Sequence, residues 1–170
     1  MPMLRNAVAI AAGLVALALP GIATSQTILQ KSQKDEIIQV PDGNAAMAEA
    51  FRKARATLPE FLALARAPRS TVTGMAVKVA VRDANANEFF WITGFTQRDD
   101  KYAGRIDNTP RSVKNVREGD VITFAEAEIV DWLYLENGKM KGNYTACALL
   151  SREPPQDQIA FKQRFGLDCD

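Results

Sequence analysis

Ile129-Val130-Asp131-Trp132-Leu133-Tyr134-Leu135-Glu136-Asn137-Gly138-Lys139-Met140-Lys141-Gly142-Asn143-Tyr144-Thr145 is the stretch that decides the fold. Asn137-Gly138 supplies two residues that tolerate positive φ, as a two-residue type I′ hairpin requires. A loop of that length fixes the register. Glu136 then faces Lys139, Tyr134 faces Lys141, Trp132 faces Asn143 and Val130 faces Thr145. The other face pairs Leu135 with Met140, Leu133 with Gly142, Asp131 with Tyr144 and Ile129 with Ala146. This second face is the more apolar and is expected on the core. The first then presents Trp132, Tyr134, Lys141 and Asn143 as a candidate binding surface, since amphipathic aromatics suit recognition. A β-bulge would exchange the two faces, because the side-chain period is two. Asp131, with Tyr144 opposite, reads as a buried polar pair, because an acid directed at a core must find donors.

Period-two alternation continues upstream. Met75, Val77, Val79 and Val81 alternate with Ala76, Lys78, Ala80 and Arg82, the pattern of a strand with one buried face. Residues 83–87 read as a turn, and Glu88 to Phe95 as an aromatic and β-branched strand. Tyr102–Ile106 and Val121–Phe124 are further short strands. Before them, Met47, Phe51, Ala54, Leu58, Phe61 or Leu62, and Ala65 recur at helical spacing, with Asn44 placed to cap the start. Thr57-Leu58-Pro59-Glu60 has the form of a capping box and predicts that one helix stops near Ala56 and a shorter one restarts. Pro154 to Arg164 reads as a short C-terminal helix with Gly166 as its cap. The expected class is α+β, with N-terminal helices packed on a curved, mainly antiparallel sheet of five to six strands.

Residues 1–25 read differently. Arg5 precedes an apolar run from Ala7 to Leu19; Pro20-Gly21 breaks it, and Ala23-Thr24-Ser25 supplies small residues before Gln26. This is the layout of a secretory signal peptide, and the run is too short for a membrane span. Cleavage near Ser25-Gln26 would leave a periplasmic or secreted product without a membrane span. Residues 26–44 form a polar lead-in arm, with Ile37, Ile38 and Val40 as a short strand candidate. Residues 45–150 are the main domain, and residues 151–170 a C-terminal helix and tail.

The 170 residues carry 21 Lys and Arg against 20 Asp and Glu, with no His. Charge near balance argues against a nucleic-acid binder. Absent His rules out Ser-His-Asp, Cys-His and His-metal chemistry. In an oxidising compartment Cys147 and Cys169 favour a disulfide, worth about 3 kcal/mol in the chain-entropy picture. They lack the C-x-x-C spacing of a redox pair, and two thiolates alone are too few for a metal site. No cofactor motif is present: no Walker loop, dinucleotide fingerprint or calcium loop.

The chain resembles the bacterial YegJ-like domain of unknown function. The resemblance rests on Ala56-Thr57-Leu58-Pro59-Glu60-Phe61, Ala76-Val77-Lys78-Val79, Glu88-Phe89-Phe90-Trp91, Gly104-Arg105-Ile106 and Gly119-Asp120. It continues through Ile129-Val130-Asp131-Trp132 and Asn137-Gly138 to Gly142-Asn143-Tyr144-Thr145, and spans residues 45–150. It implies a compact α+β domain, often exported, and no reaction. The family pattern places His before the aromatic pair, where this chain has Phe89, so an imidazole role cannot operate here.

The expected function is a non-catalytic binding or interaction protein of the cell envelope, with a protein, peptide or glycan as ligand. Two alternatives stand beside it. One is an immunity or inhibitor protein against a toxin or cell-wall enzyme. The other is a carboxylate-based hydrolase using Asp131 and Glu128, since paired acids can serve as acid and base. The loop containing Arg111, Ser112, Lys114 and Arg117 is a weaker candidate, for anion binding.

Overall fold

A computed structural model describes residues 44–84 and 86–169. The signal peptide, the lead-in arm up to residue 43 and its strand candidate lie outside the described residues. Ala45–Arg66 forms helix α1. Six strands follow: β1 (Val72–Arg82), β2 (Asn87–Arg98), β3 (Lys101–Ile106), β4 (Val121–Ala125), β5 (Ile129–Glu136) and β6 (Lys139–Gly142). Two further helices, α2 (Tyr144–Leu150) and α3 (Pro155–Phe165), complete the described chain. The strands form one antiparallel sheet in the order β4-β3-β2-β1-β5-β6. The α+β expectation holds, with the sheet curled into a half-barrel. Among the described residues, no helix is long and apolar enough to cross a membrane.

The N-terminal helix differs from the expected break. It runs unbroken through Pro59, and Thr57 does not cap a new start: its hydroxyl donates to the Lys53 carbonyl at 2.9 Å. An interior Pro costs about 3 kcal/mol in an isolated helix. Here Ala50, Ala54, Leu58, Phe61 and Leu62 form one buried stripe across the proline, and that packing offsets the local cost. Asn44 does cap α1, accepting the Met47 N–H at 3.0 Å.

Register irregularities bend the sheet around this stripe. β1 carries one beyond Thr73, β2 one beyond Thr93, and β5 one between Ile129 and Asp131. Gly74 and Gly94 sit at the first two with φ of +62° and +56°, a region costly for other residues. Val77, Val79, Phe90, Ile92, Ile106, Phe124 and Ile129 close on α1 to form the main core. A second apolar cluster joins Leu150, Phe161 and Leu167 under α2 and α3.

The hairpin turn forms as expected, with Asn137 at φ 51° and Gly138 at φ 76°. Leu133–Gly142, Tyr134–Lys141, Leu135–Met140 and Glu136–Lys139 pair in the anticipated register. Beyond Gly142 the expected ladder is replaced. Gly142 and Asn143 are both left-handed, at φ 75° and 53°, and swing the chain into α2. The pairs Trp132–Asn143, Asp131–Tyr144, Val130–Thr145 and Ile129–Ala146 therefore do not form as strand neighbours. Cys147 stands on a helix, joined to Cys169 in a disulfide.

Candidate functional site

The β5 bulge determines which face each side chain of this strand takes. Val79 pairs with Ile129 while its neighbour Lys78 pairs with Asp131, so one extra residue of β5 is taken up between them. Trp132 consequently lies with Val77 on the core side, and Asp131 with Lys78 on the other. Trp132 is 6% exposed, stacks on Phe61 at 4.9 Å between ring centroids, and donates its indole N–H to the Ala54 carbonyl at 3.0 Å. Tyr134 is half-buried and stacked against both rings. Lys141 pairs with Asp168 at 2.5 Å, which raises its amine above the ordinary lysine value. Asn143 donates to the Met140 sulfur. Of the expected Trp132–Tyr134–Lys141–Asn143 binding surface, Trp132 is buried, while Tyr134, Lys141 and Asn143 stay partly exposed and are engaged within the chain. Trp132 belongs to the core with Tyr134 packed at its margin, and Lys141 and Asn143 contact the tail and β6.

Asp131 is fully buried and accepts four hydrogen bonds. Its donors are the Trp132 N–H at 2.9 Å, the Tyr144 N–H at 3.2 Å, the Thr145 N–H at 2.9 Å and the Thr145 hydroxyl at 2.6 Å. The partner expected for Asp131, the Tyr144 hydroxyl, lies instead 3.2 Å from Thr57 Oγ1. Asp131 caps α2 from across the sheet, a carboxylate against the orphan N–H groups and positive end of a helix. Lys78 Nζ donates to Thr145 Oγ1 at 2.5 Å and lies 4.3 Å from the Trp91 ring centroid. Burial holds the Lys78 amine below the ordinary lysine value, and Asp131 partly opposes that shift.

Sequence reasoning passed over Lys78 and Thr145. The available signal was a lysine in an otherwise small or apolar strand, at a position alternating with buried valines. The three groups form a relay in which Thr145 gives its one proton to Asp131 and accepts from Lys78. At 4% exposure the hydroxyl is screened from solvent by the groups packed around it.

The other acids are similarly occupied. Glu88 is 5% exposed and accepts the N–H groups of Arg111, Ser112 and Val113 at 2.9–3.2 Å. The loop considered for anion binding does bind an anion, the chain's own Glu88 carboxylate. Glu128, the other candidate acid, lies with Glu126 in a 3₁₀ turn between β4 and β5. Glu128 accepts the Ala125 N–H at 2.6 Å, and Tyr102 donates to Glu126 at 3.4 Å. Among the described residues, no group of three or more acids and cysteines is arranged to hold a metal ion.

The face of β2, β3 and β4 turned away from α1 carries a different arrangement. Thr93 pairs with Arg105 and Arg105 with Val121; Thr96 pairs with Ala103 and Ala103 with Thr123; Arg98 pairs with Lys101 and Lys101 with Ala125. A depression of about 310 Å³ opens beside the β2 bulge, with Gly94, Ala103 and Gly104 among its lining and Thr93, Thr96, Arg98, Arg105 and Val121 around them. Arg98, Lys101, Arg105, Val121 and Thr123 are exposed.

The profile of a bacterial family described as "Uncharacterized protein conserved in bacteria (DUF2314)" matches residues 44–169. A protein of Escherichia coli (strain K12) described as "Uncharacterized protein YegJ" is 30% identical over 120 residues, covering 71% of this chain and 77% of its own. No solved structure matches. The matched span coincides with the helix-wrapped sheet and its capped α2, and the chain belongs to the DUF2314 family of bacterial proteins.

Proposed function

We propose that this protein is an exported, non-catalytic binding protein of the bacterial cell envelope, and that it binds through the open face of β2, β3 and β4. One observation carries the reading. The buried acids Asp131 and Glu88 are spent on backbone N–H groups, while an exposed basic and threonine-rich face with a depression adjoins the sheet edge. Such a face recognises; it does not supply a paired acid and base. The layout of residues 1–25 and the two cysteines support export. An immunity or inhibitor role is the case in which the bound partner is a toxin or cell-wall enzyme.

Two measurements test this. Periplasmic extraction of the full-length gene product, followed by N-terminal sequencing, is expected to give a chain starting at Gln26. An unprocessed cytoplasmic chain overturns the export half. For the binding half, the processed protein and an Arg98→Glu/Arg105→Glu variant are immobilised and exposed to envelope extract from their own host. Retention of one defined partner by the former and not the latter is expected. Equal retention by both overturns the assignment of this face.

A further inference from the structure

The two edges of the sheet end differently. At β6 the chain covers its own edge: the Met140 N–H donates to the Gly166 carbonyl at 2.7 Å, and the Asp168 N–H to the Met140 carbonyl at 3.2 Å. The tail is thus an added strand segment, with Leu167 bridged to Met140. At β4 no described segment does this. Val121-Ile122-Thr123-Phe124-Ala125 contains no charge and no proline, so the common devices that blunt an exposed edge are absent from it.

The polarity of that edge follows from one bond. The Ile106 N–H donates to the Asp120 carbonyl at 2.9 Å, and the period of two makes Gly104–Ile122 and Tyr102–Phe124 the next hydrogen-bonded pairs. The N–H and C=O groups of Ile122 and Phe124 therefore turn inward to β3. Those of Val121 and Thr123 turn outward. Ala125 also turns outward, but its N–H is taken by the Glu128 carboxylate, so at that end the edge offers only its carbonyl.

We infer that β4 receives an extended peptide segment as an added antiparallel strand, and that this segment carries acidic side chains four residues apart. The inference rests on the binding reading above and names its partner class. Charge selects the occupant. A residue added beside Val121 continues the row through Arg105 to Thr93, and one added beside Ala125 continues the row through Lys101 to Arg98. Strands are 4.7–4.9 Å apart in general, so both added positions lie within reach of a long basic side chain two strands away. The position between them, beside Thr123 and Ala103, suits a small or β-branched residue. Main-chain bonds at Val121 and Thr123 give affinity, and the two basic rows give selectivity. A second copy fits less well. Two β4 strands paired about Thr123 place Val121 beside Ala125, leave both basic rows without acids, and bring Asp120 opposite Glu126.

The test uses the processed protein with two synthetic nine-residue peptides of alternating Thr and Val, one bearing Glu and one Lys at positions four apart. The acidic peptide is expected to slow amide exchange at Val121 and Thr123, and to weaken as salt is raised. The Lys peptide is expected to bind at least about tenfold more weakly, as the absence of one acid–base pair would make it. Thr123→Pro removes an outward N–H, and N-methylation of the acidic peptide at alternate residues removes the matching donors without touching the protein. Either is expected to abolish protection. Absence of protection with both peptides overturns the inference, as does binding indifferent to N-methylation, or sedimentation showing a dimer that Thr123→Pro dissociates. If Arg98→Glu/Arg105→Glu loses the envelope partner while Thr123→Pro keeps it, strand addition fails and the binding face survives. If neither variant changes retention, both fall.

Discussion

Asp131 on β5 holds the first turn of α2 from across a strand boundary, accepting the Thr145 N–H at 2.9 Å and the Thr145 hydroxyl at 2.6 Å. The carboxylate is buried, so each donor it meets would otherwise lie without water. Asp131→Asn keeps the volume and loses the charge, and it offers N–H to at least one group that is itself a donor. We expect a loss of about 2–3 kcal/mol, since bonds to an ionised acceptor are worth more than neutral ones. Thermal unfolding checks this. An unchanged midpoint would mean that the cap contributes nothing to stability.

Lys78 ties stability to pH through the same network. Its folded amine titrates below the ordinary value of 10.5, principally through burial. Between the lowered value and 10.5 the unfolded chain holds more protons than the folded one, so this group makes stability rise with pH across that window. Below the lowered value both states are charged, and the burial penalty is present in full. The stability of the parent relative to Lys78→Met is therefore expected to rise as pH climbs toward 10.5, measured by denaturant unfolding at stepped alkaline pH. A difference that stays flat or shrinks over the window contradicts the burial account.

Gly142 is where the hairpin stops and α2 begins. Its φ is 75°, and a Cβ there would run into the Trp132 carbonyl and indole ring. Gly138 has nearly the same φ, 76°, with nothing within 4 Å of its Cβ position. Left-handed backbone alone costs a non-glycine residue about 1–2 kcal/mol. Gly138→Ala is expected to lose that amount. Gly142→Ala is expected to lose at least about twice as much, because neither a carbonyl nor a buried indole can yield cheaply. Equal losses in chemical denaturation would show that the Trp132 contact relaxes at little cost.

Legibility in the sequence followed the range of each interaction. The Asn137-Gly138 turn and the four pairs beside it depend on two residues and a loop length, and they were readable. The α1 stripe was readable as periodicity, but its continuity through Pro59 was not, because burial against Phe90, Ile92 and Trp132 outweighs a local breaker. Trp132 lies on the opposite face from the one alternation predicts, because the extra residue in β5 leaves no mark in the order of side chains; Ile129-Val130-Asp131 reads as plain alternation. Tyr144-Thr145-Ala146 is β-prone by composition, yet Gly142 and Asn143 turn it into a helix whose N–H groups Asp131 satisfies. The open face of β2–β4 was missed for a related reason: its basic rows come from residues far apart in sequence and exist only once strands are paired.

Cys147–Cys169 joins α2 to the tail that covers β6, so its removal is expected to act locally first. The bridge spans 22 positions, and loss of such a constraint costs about 3 kcal/mol when judged against the unfolded chain. The tail is also held by the Lys141–Asp168 pair and by two main-chain bonds at Met140. A partly exposed ion pair contributes little, and two edge bonds do not outlast fraying of an unanchored end. In Cys147→Ser/Cys169→Ser, amide exchange at Met140, whose N–H is bonded to Gly166, should accelerate toward that of an open edge strand. Val77 and Phe90, fully buried in the main core, should slow or quicken only with the global stability. If Met140 keeps its protection while global stability falls, the staple acts wholly on the unfolded chain. If Met140 alone changes, the disulfide serves chiefly to keep the tail seated on β6.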